Sequence, residues 1–342
     1  MENNSFGDLF RITTFGESHG LALGVVVDGC PSGIPLTEED LLPDLRRRRP
    51  GQSGMASARK EEDKPNILSG VFEGKTTGMP IAVIVENKDQ RPQDYDLLRK
   101  AFRPGHADAT YAAKYGHRDH RGGGRSSGRE TVARVIAGTI AKKILPADMK
   151  IIGHTIKIGP HEAKVFDPQA IEENPVRCAD PAAAKQMEDY VMQLKEQFNS
   201  TGGLIEIRVM KTPPNLGDPV FGKLKARLAD AIMGIGAVTG FSYGSGFDVA
   251  SMKGVDYISD RRHFGGILGG ISTGEDLVIH LSVKPPSSLG EVAKRGRHDS
   301  CIVPRVIPVA EAMVAIVLAD FYLKQSAYEG FNRQLSSNKS VA

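Results

Sequence analysis

The segment from Gln90 to Arg129 constrains the fold most strongly, because it cannot form part of a hydrophobic core. It holds few aliphatic residues and is rich in glycine, arginine, histidine and aspartate. A segment of this composition is expected at the surface, in the loops where binding and catalytic residues concentrate. The remainder of the chain therefore has to supply a scaffold that positions one long polar segment.

Apolar periodicity on both sides of this segment predicts helices interspersed with strands, an α/β pattern. Helix caps reinforce it, because Thr37 precedes three acidic residues, while Asp180 and Asp218 each precede a proline. The predicted helices cover Thr37–Arg48, Arg129–Leu145, Pro181–Phe198, a segment starting at Asp218, and Pro308–Lys324; the predicted strands cover Ile67–Val71, Ile81–Glu86 and Leu204–Met210. Without a repeat or a linker-like segment, we expect one domain over residues 1–324 and a disordered tail over 325–342.

Composition narrows the class of protein and its location. The net charge of +3 is small for 342 residues, and the basic residues are concentrated in a few arginine clusters beside glycine, which favours a local anion site over a nucleic-acid track. The three cysteines are isolated, which is typical of the reducing cytosol. The start of the chain has no signal-peptide pattern, and polar residues interrupt the longest apolar run, Val306–Leu323. We therefore expect a cytoplasmic protein without a membrane span.

The cluster Arg121–Glu130 joins four glycines, two serines and three arginines to the start of a predicted helix. Ser127 and Glu130 have the spacing of a capping box. A glycine-rich loop that leads into a helix presents free backbone N–H groups and the positive end of the helix dipole, an arrangement that suits a phosphate. An ordinary capped helix after a flexible loop has the same pattern and remains an alternative.

Two histidines are candidates for proton transfer. His19 and His106 each lie in a glycine-containing turn, which exposes the imidazole ring, and histidine exchanges protons near neutral pH. A lone histidine more often has a structural role, so that interpretation stays open. His117 and His120 could begin a metal site, but no cysteine or third histidine completes the set, and we expect no metal.

Three further segments carry polar chemistry. Arg46–Arg49 occupy successive helical positions, so only one or two can face a single site; Arg48 is favoured, and a solvated basic surface is the alternative. The paired glycines of Gly265–Gly274, followed by Lys284–Ser288, leave room for a flat ring against the backbone, although tightly packed loops would look the same. Gly296–Asp299 places a basic and an acidic residue before the last helix, where an exposed ion pair is the default interpretation.

Six segments, in order along the chain, resemble motifs of the chorismate synthase family. They are Phe15–Gly20, Arg48–Gln52, Phe102–His106, Gly122–Gly138, the glycine pairs leading into Lys284–Ser288, and Gly296–Ala315. The likeness extends from about Phe6 to Leu323. A chance match to six ordered motifs is very improbable.

The resemblance implies a β-α-β sandwich in which helices pack between antiparallel sheets, assembled as a homotetramer. It implies a trans-1,4 elimination in the shikimate pathway, in which 5-enolpyruvylshikimate 3-phosphate loses phosphate from C3 and a proton from C6 to give chorismate. It also implies reduced FMN as the cofactor, which is not consumed overall. In that family the flavin is thought to lend an electron to the departing phosphate system and to recover it.

Residue roles follow from the same resemblance. His19 is expected to protonate the reduced flavin, His106 to protonate the leaving phosphate, and Asp299 to help remove the C6 proton. The residues expected to bind substrate are Arg48, Arg49 and Arg129. The residues expected to line the flavin are Arg125, Ser126, Ser127, Gly236, Ala237, Gly269, Lys284, Pro285, Pro286, Ser287, Ser288 and Arg297. Gly236 stands where relatives often have asparagine, and the segment between Ser288 and Arg297 is shorter than in many relatives.

Two alternatives belong to other classes. A nucleic-acid-binding protein could use the arginine and glycine clusters, but Arg46–Arg49 and Arg121–Arg129 lack the interleaved aromatic residues that stack on bases. A flavin reductase-type or bifunctional enzyme would need its own NADPH site. No GxGxxG fingerprint for NADP binding occurs, so we expect a separate flavin reductase to supply the reduced FMN.

Overall fold

The computed structural model of the chain describes residues 3–51, 62–88, 102–287, 289–290 and 299–339. Within these ranges, two five-stranded sheets enclose a layer of helices. All strand pairs in both sheets are antiparallel. The predicted sandwich of helices between antiparallel sheets is therefore confirmed.

The first sheet has a buried face and a more exposed face. Its strands are β1 (Ser5–Phe6), β2 (Arg11–Gly16), β3 (Ala22–Asp28), β4 (Pro65–Ile67) and β7 (Ile81–Glu86), in the order β1-β2-β3-β7-β4. A hairpin of β5 (Val71–Phe72) and β6 (Lys75–Thr76) lies between β4 and β7 in the chain. Alternate residues of β7 are buried, as the period of a half-buried strand requires.

The second sheet covers the other side of the helices. Its strands are β8 (Lys150–Ile158), β9 (His161–Glu162), β10 (Gly203–Met210), β11 (Val238–Tyr243) and β14 (Leu277–Val283), in the order β11-β14-β10-β8-β9. The small hairpin of β12 (Ile267–Leu268) and β13 (Ile271–Ser272) precedes β14. Every second residue of β14 is buried, and β10 matches its predicted bounds to within one residue.

Seven α-helices occur in the described ranges: α1 (Glu38–Arg48), α2 (Asp108–Tyr115), α3 (Thr131–Lys142), α4 (Pro181–Glu196), α5 (Leu224–Met233), α6 (Gly254–Ser259) and α7 (Val303–Lys339). Helix α3 packs against β3 and α7, and α7 packs against β8 and β10, so these two helices join the two sheets. Their apolar residues form one core with the buried faces of the strands.

Helix α7 is long and apolar enough to cross a membrane by length and composition, but 89% of its most apolar window is buried inside the fold. It is therefore the central helix of the core. Near its middle, the buried carboxylate of Asp320 accepts hydrogen bonds from the backbone N–H groups of Asp8, Leu9 and Phe10, at 3.2, 2.6 and 2.9 Å. This contact holds the start of the chain to its last helix.

Two predicted boundaries agree with local capping. Thr37 donates its backbone N–H to Asp40 at the start of α1, and Asp180 accepts from Ala182 and Ala183 at the start of α4. Pro181 occupies the first turn of α4, as expected. These helices begin where predicted because their caps lie within a few residues of one another in the sequence.

Other predicted boundaries are wrong. Asp218 starts a turn, which its N–H closes by donating to Gly222, and helix α5 begins later. The strand predicted over Ile67–Val71 ends early because Gly70 adopts φ +81 in a turn. The predicted helix Arg129–Leu145 is shorter at both ends. Residues 325–339 continue helix α7 where the sequence predicts a tail, and residues 331–337 are exposed to solvent.

Candidate active site

Two consecutive glycines bring the two candidate histidines together. Gly122 and Gly123 have φ values of +63 and +89. A Cβ on Gly122 would lie 2.3 Å from atoms of the His19 ring, and a Cβ on Gly123 would lie 3.0 Å from His106 Cε1. The loop therefore contacts one histidine at each glycine, and side chains at these positions would push the rings away.

His19 lies in the turn between β2 and β3 and is only 4% exposed, so the prediction that its glycine turn exposes the ring is wrong. Its Nδ1 is 3.1 Å from the hydroxyl of Ser18. The amide of Asn87, at the end of β7, donates to the carbonyl oxygens of Glu17 and Gly20 at 3.0 and 2.9 Å. The turn that carries His19 is thus fixed to the neighbouring strand.

His106 lies in the turn before α2 and is held by charged neighbours. Arg103 Nη2 and Asp108 Oδ1 each lie 3.1 Å from His106 Nδ1. Burial lowers the pKa of His106, and Arg103 lowers it further, while Asp108 opposes the shift. Lys284 and Ser287 both donate to the carbonyl oxygen of Gly105, at 2.9 and 3.0 Å, so the segment after β14 joins this turn.

A buried cluster of charges occupies the end of α1. Arg48 donates to Asp63 Oδ2 at 3.1 Å, and Arg129 donates to the other carboxylate oxygen. Burial lowers the pKa of Arg48 to about 10; Asp63 opposes this shift, and the nearby cations of Arg305 and Arg129 add to it. Arg129 also donates to Asn87 at 3.0 Å, which links the cluster to the turn of His19.

Asp299 belongs to the same region. Its carboxylate accepts from Arg305, whose Nε donates to the backbone oxygen of Arg48 at 3.3 Å. Arg49, by contrast, ends α1 and donates to the backbone oxygen of Glu62 at 3.2 Å, in an exposed position. The structure therefore brings Arg48, Arg129 and Asp299 together and turns Arg49 toward the outside of the cluster.

The segment Arg125–Ser127 lies just before α3. Arg125 reaches β2, where it donates to the Thr14 hydroxyl at 2.6 Å and to the Gly16 carbonyl at 3.3 Å. Ser126 donates to the Gly123 carbonyl at 2.7 Å, and the Ser127 hydroxyl accepts from the Arg129 N–H at 3.3 Å.

Glu130, predicted to complete a capping box with Ser127, pairs instead with Arg134, 3.0 Å away. The predicted capping box is therefore wrong. Helix α3 still begins here, at Thr131, whose hydroxyl donates to the Gly128 carbonyl at 2.6 Å.

The other predicted flavin residues divide into two groups. The first group lies at one end of the second sheet and consists of Gly236, Ala237 and the segment Lys284–Ser287, which includes Pro285. There the backbone N–H of Lys284 donates to the Ala237 carbonyl at 3.0 Å, and the Pro286 carbonyl accepts from the Ser200 hydroxyl at 2.8 Å. The second group is Gly269, which lies near the start of α5. The carbonyl of the next residue, Gly270, accepts from the N–H of Leu224 at 2.7 Å. Ser288 and Arg297 lie outside the described residues.

A cavity of about 460 Å³ borders the glycine loop. Its lining includes Gly123, Arg125, Ser126, Asp108 and Tyr115. This volume is within the range of small-molecule sites. In the described part of the chain, no three histidine, cysteine, aspartate or glutamate side chains are grouped as metal ligands.

Sequence reasoning missed Asp63 and Asn87. Both are buried polar residues, at the start of β4 and the end of β7, and both contact predicted site residues. Neither lies in a glycine turn or an arginine cluster. The only signal in the sequence is a single polar residue beside a strand, which is too common to select them.

The fold and the site together define an enzyme with two histidines and a buried arginine cluster suited to an anionic substrate. A sequence profile of the chorismate synthase family matches residues 10–323. The chain belongs to the chorismate synthase family, and it is a carbon–oxygen lyase of the shikimate pathway, in aromatic amino acid biosynthesis.

Individual relatives agree over nearly the whole chain. A chorismate synthase from Granulibacter bethesdensis is 48% identical over 360 residues, covering 96% of this chain and 99% of that protein. One from Methanosarcina mazei is 48% identical, covering 95% and 97%. A crystal structure of a chorismate synthase has a TM-score of 0.77 at 30% identity, covering 94% of this chain and 93% of that chain.

Proposed function

We propose that the protein binds reduced FMN and converts 5-enolpyruvylshikimate 3-phosphate to chorismate, with His19, His106 and Asp299 as its catalytic residues. The observation that carries this assignment is the contact of Gly122 with His19 and of Gly123 with His106. One short loop thereby places two proton carriers beside a cationic cluster. Competing classes do not account for this arrangement together with the family membership.

The residues present fit a flavin phosphate and a flat ring. The cavity beside the glycine loop has donor groups from Arg125 and Ser126 in its lining. A Cβ at Gly236 or Gly269 would meet no heavy atom within 4 Å, so these positions leave open space. We propose that these residues, with Ser127, Ala237 and the segment Lys284–Ser288, hold the cofactor, and that Arg297 contributes as well. Reduced FMN, when bound, supplies transient electron donation to the substrate.

The chain's own groups then bind the acidic substrate and move protons. Arg48 and Arg129 hold acidic groups of the substrate, since guanidinium groups donate paired hydrogen bonds to carboxylate or phosphate; Arg49, at the end of α1, would add long-range attraction. His106 gives a proton to the leaving phosphate, which removes negative charge from the oxygen that departs. His19 holds a proton on the flavin side of the site, and Asp299 assists loss of the C6 proton.

Anaerobic turnover tests this function directly. Purified protein, chemically reduced FMN and substrate should release phosphate and chorismate in equal amounts. We expect His19→Ala and His106→Ala each to lower kcat roughly a hundredfold or more, the usual scale of general acid–base effects. His161→Ala is the control, because His161 lies in β9 of the second sheet, where its ring packs on Tyr190 of α4. Full turnover in both site variants would contradict the assigned roles.

Cofactor binding has a separate test. Titration of oxidised FMN, followed by flavin fluorescence, should show binding that tightens when substrate is present, as expected if flavin and substrate contact each other in the proposed site. Lys284→Ala should weaken it, since the Lys284 ammonium group donates to the Gly105 carbonyl and so joins a proposed flavin segment to the turn of His106. Equal affinity in this variant would remove Lys284 from the cofactor site.

The protein's surroundings are part of the same proposal. We infer a cytoplasmic homotetramer of one-domain subunits that receives reduced FMN from a separate flavin reductase. Its family membership and the single continuous core support this assignment. Light scattering after gel filtration would measure the subunit number. NADPH added without a reductase should give no turnover under air-free conditions.

A further inference from the structure

Two charged side chains beside His106 have no part in the function proposed above. Asp108 is 2% exposed, and it accepts from Arg103 through the backbone N–H at 3.2 Å, Nε at 2.8 Å and Nη2 at 3.0 Å. Arg118 lies 3.6 Å from the same carboxylate. These contacts fix Arg103 and Asp108 against each other and against the turn that carries His106.

The Nδ1 atom of His106 faces both a hydrogen-bond donor, Arg103, and an acceptor, Asp108. A neutral ring with a lone pair on Nδ1 accepts from Arg103, whereas a protonated ring donates its Nδ1–H to Asp108. Both partners lie 3.1 Å from Nδ1, so neither state requires the ring to turn. In both states Nε2 carries a hydrogen.

The charges around the ring favour its neutral form in the unliganded protein. Burial lowers the pKa of His106, Arg103 and Lys284 lower it further, and Asp108 partly offsets them. Although burial raises the pKa of Asp108, hydrogen bonds from Arg103 hold it at about 2, so its carboxylate remains charged. A phosphate dianion brought beside the ring would favour the protonated form.

We propose that Arg103 and Asp108 are positioning residues that make His106 take up a proton when the substrate's phosphate binds and hold Nε2 for its transfer. This rests on the role of His106 in the proposed function. The proton comes from solvent during binding. In the reaction the Nε2–H bond breaks, an O–H bond forms on the phosphate, and the C3–O electron pair leaves with that oxygen. The ring is then neutral with its hydrogen on Nδ1, donated to Asp108, and exchange of protons with solvent restores the starting tautomer, with hydrogen on Nε2 and a lone pair on Nδ1.

Calorimetry of substrate binding tests this coupling without turnover. Substrate is titrated into the protein with oxidised FMN, in buffers of different ionisation enthalpy, from pH 6 to pH 8.5. The difference in proton uptake between the wild type and His106→Ala is the uptake by the His106 ring. We expect Asp108→Asn to move the midpoint of that uptake to lower pH, because a neutral amide no longer stabilises the imidazolium, and to lower kcat roughly tenfold to hundredfold with less change in KM. Arg103→Gln should move the midpoint to higher pH.

Asp260→Asn is the matched control. Asp260 also pairs with an arginine, Arg262, which holds its pKa at about 2, but this pair lies in the exposed loop before β12. It should leave proton uptake and kcat unchanged.

The outcomes separate the two proposals. If His106→Ala loses turnover while Asp108→Asn and Arg103→Gln both keep the wild-type midpoint, the coupling is wrong and the proposed function stands. If His106→Ala turns over at the wild-type rate, the role of His106 fails first. Should Asp108→Asn not fold, the opposite shift predicted for Arg103→Gln still decides the matter.

Discussion

Asp63 contacts two buried guanidinium groups at once, one with each carboxylate oxygen. Burial alone would raise the pKa of Asp63, but Arg48 and Arg129 hold it below its ordinary value. With Arg305 and Asp299, the described cluster has three cations and two anions. The surplus positive charge in a buried place suits an acidic substrate, and Asp63 keeps the two proposed substrate arginines apart and oriented.

Asp63→Ala should therefore destabilise the protein strongly. Removing one partner of a buried ion pair leaves the other charge uncompensated, and we expect the free energy of unfolding to fall by about 3–5 kcal/mol. Urea denaturation followed by circular dichroism measures it. Asp189→Ala, which removes an exposed partner of Lys185, is the control and should change stability little. An equal change in the free energy of unfolding in the two variants would show that Asp63 stabilises the fold no more than an exposed ion-pair partner does.

At the level of single residues, the sequence selects candidates only where chemistry and backbone signals coincide. His19 and His106 stand beside glycines, and the fold brings both to one loop. Asp63 and Asn87 could not be selected, because their importance arises from strand pairing and helix packing that join distant parts of the chain. The roles assigned to individual residues remain predictions.

At the scale of elements, α3 and α7 approach closely at one glycine. A Cβ on Gly138 would lie 2.3 Å from the Ala312 Cβ and 2.4 Å from its Cα. Because the contact involves backbone, it cannot be relieved by a side-chain rotation. These two helices join the sheets, so their spacing sets the distance between the sheet carrying His19 and the sheet carrying Lys284.

Gly138→Ala should lower the stability of the protein, although a glycine-to-alanine change inside a helix usually raises it. Overpacking of this kind costs about 1–3 kcal/mol, and the thermal midpoint should fall. Gly330→Ala is the matched control, since Gly330 lies in the exposed part of α7 with no heavy atom within 4 Å of an added Cβ. Its substitution should stabilise by up to about 1 kcal/mol through helix propensity. A stabilised Gly138→Ala variant would contradict the close packing of the helices.

Element boundaries were predictable only from local signals. Asp180 and Pro181 marked the start of α4 because capping needs only adjacent residues. The same Asp–Pro pair at Asp218 closes a turn instead, and α5 begins only at Leu224, whose N–H donates to Gly270 of the distant β12–β13 hairpin. The sandwich itself came from family resemblance, because the order of strands in a sheet depends on contacts between distant segments.

For the whole molecule, many carboxylates are held in their charged form. Arginine partners keep the pKa of Asp108 and of Asp260 at about 2, and the pKa of Glu206 is lowered by His154, His280 and Arg208, although burial raises it. A lowered folded-state pKa means that the unfolded chain binds more protons as the solution becomes acidic. Stability from these groups is complete above their ordinary pKa and is lost as the pH falls toward 2.

The thermal midpoint should therefore be nearly level from pH 7 to pH 5 and fall steeply below about pH 4, near the ordinary pKa of aspartate. The pKa of His106 is also lowered in the folded protein, so His106 adds a smaller loss of stability that begins as the pH falls below its ordinary pKa of 6.5. Differential scanning calorimetry across this range measures the profile. A midpoint that rises on acidification would mean that these ion pairs do not stabilise the folded protein.

The hydrogen bonds that the Asp320 carboxylate accepts from the backbone N–H groups of residues 8–10 join positions more than 300 residues apart in the chain. During synthesis on the ribosome, the first hairpin emerges long before the helix that anchors it. The core of the nascent protein therefore stays incomplete until α7 leaves the exit tunnel, and during that interval more apolar surface is exposed than in a protein closed by local contacts.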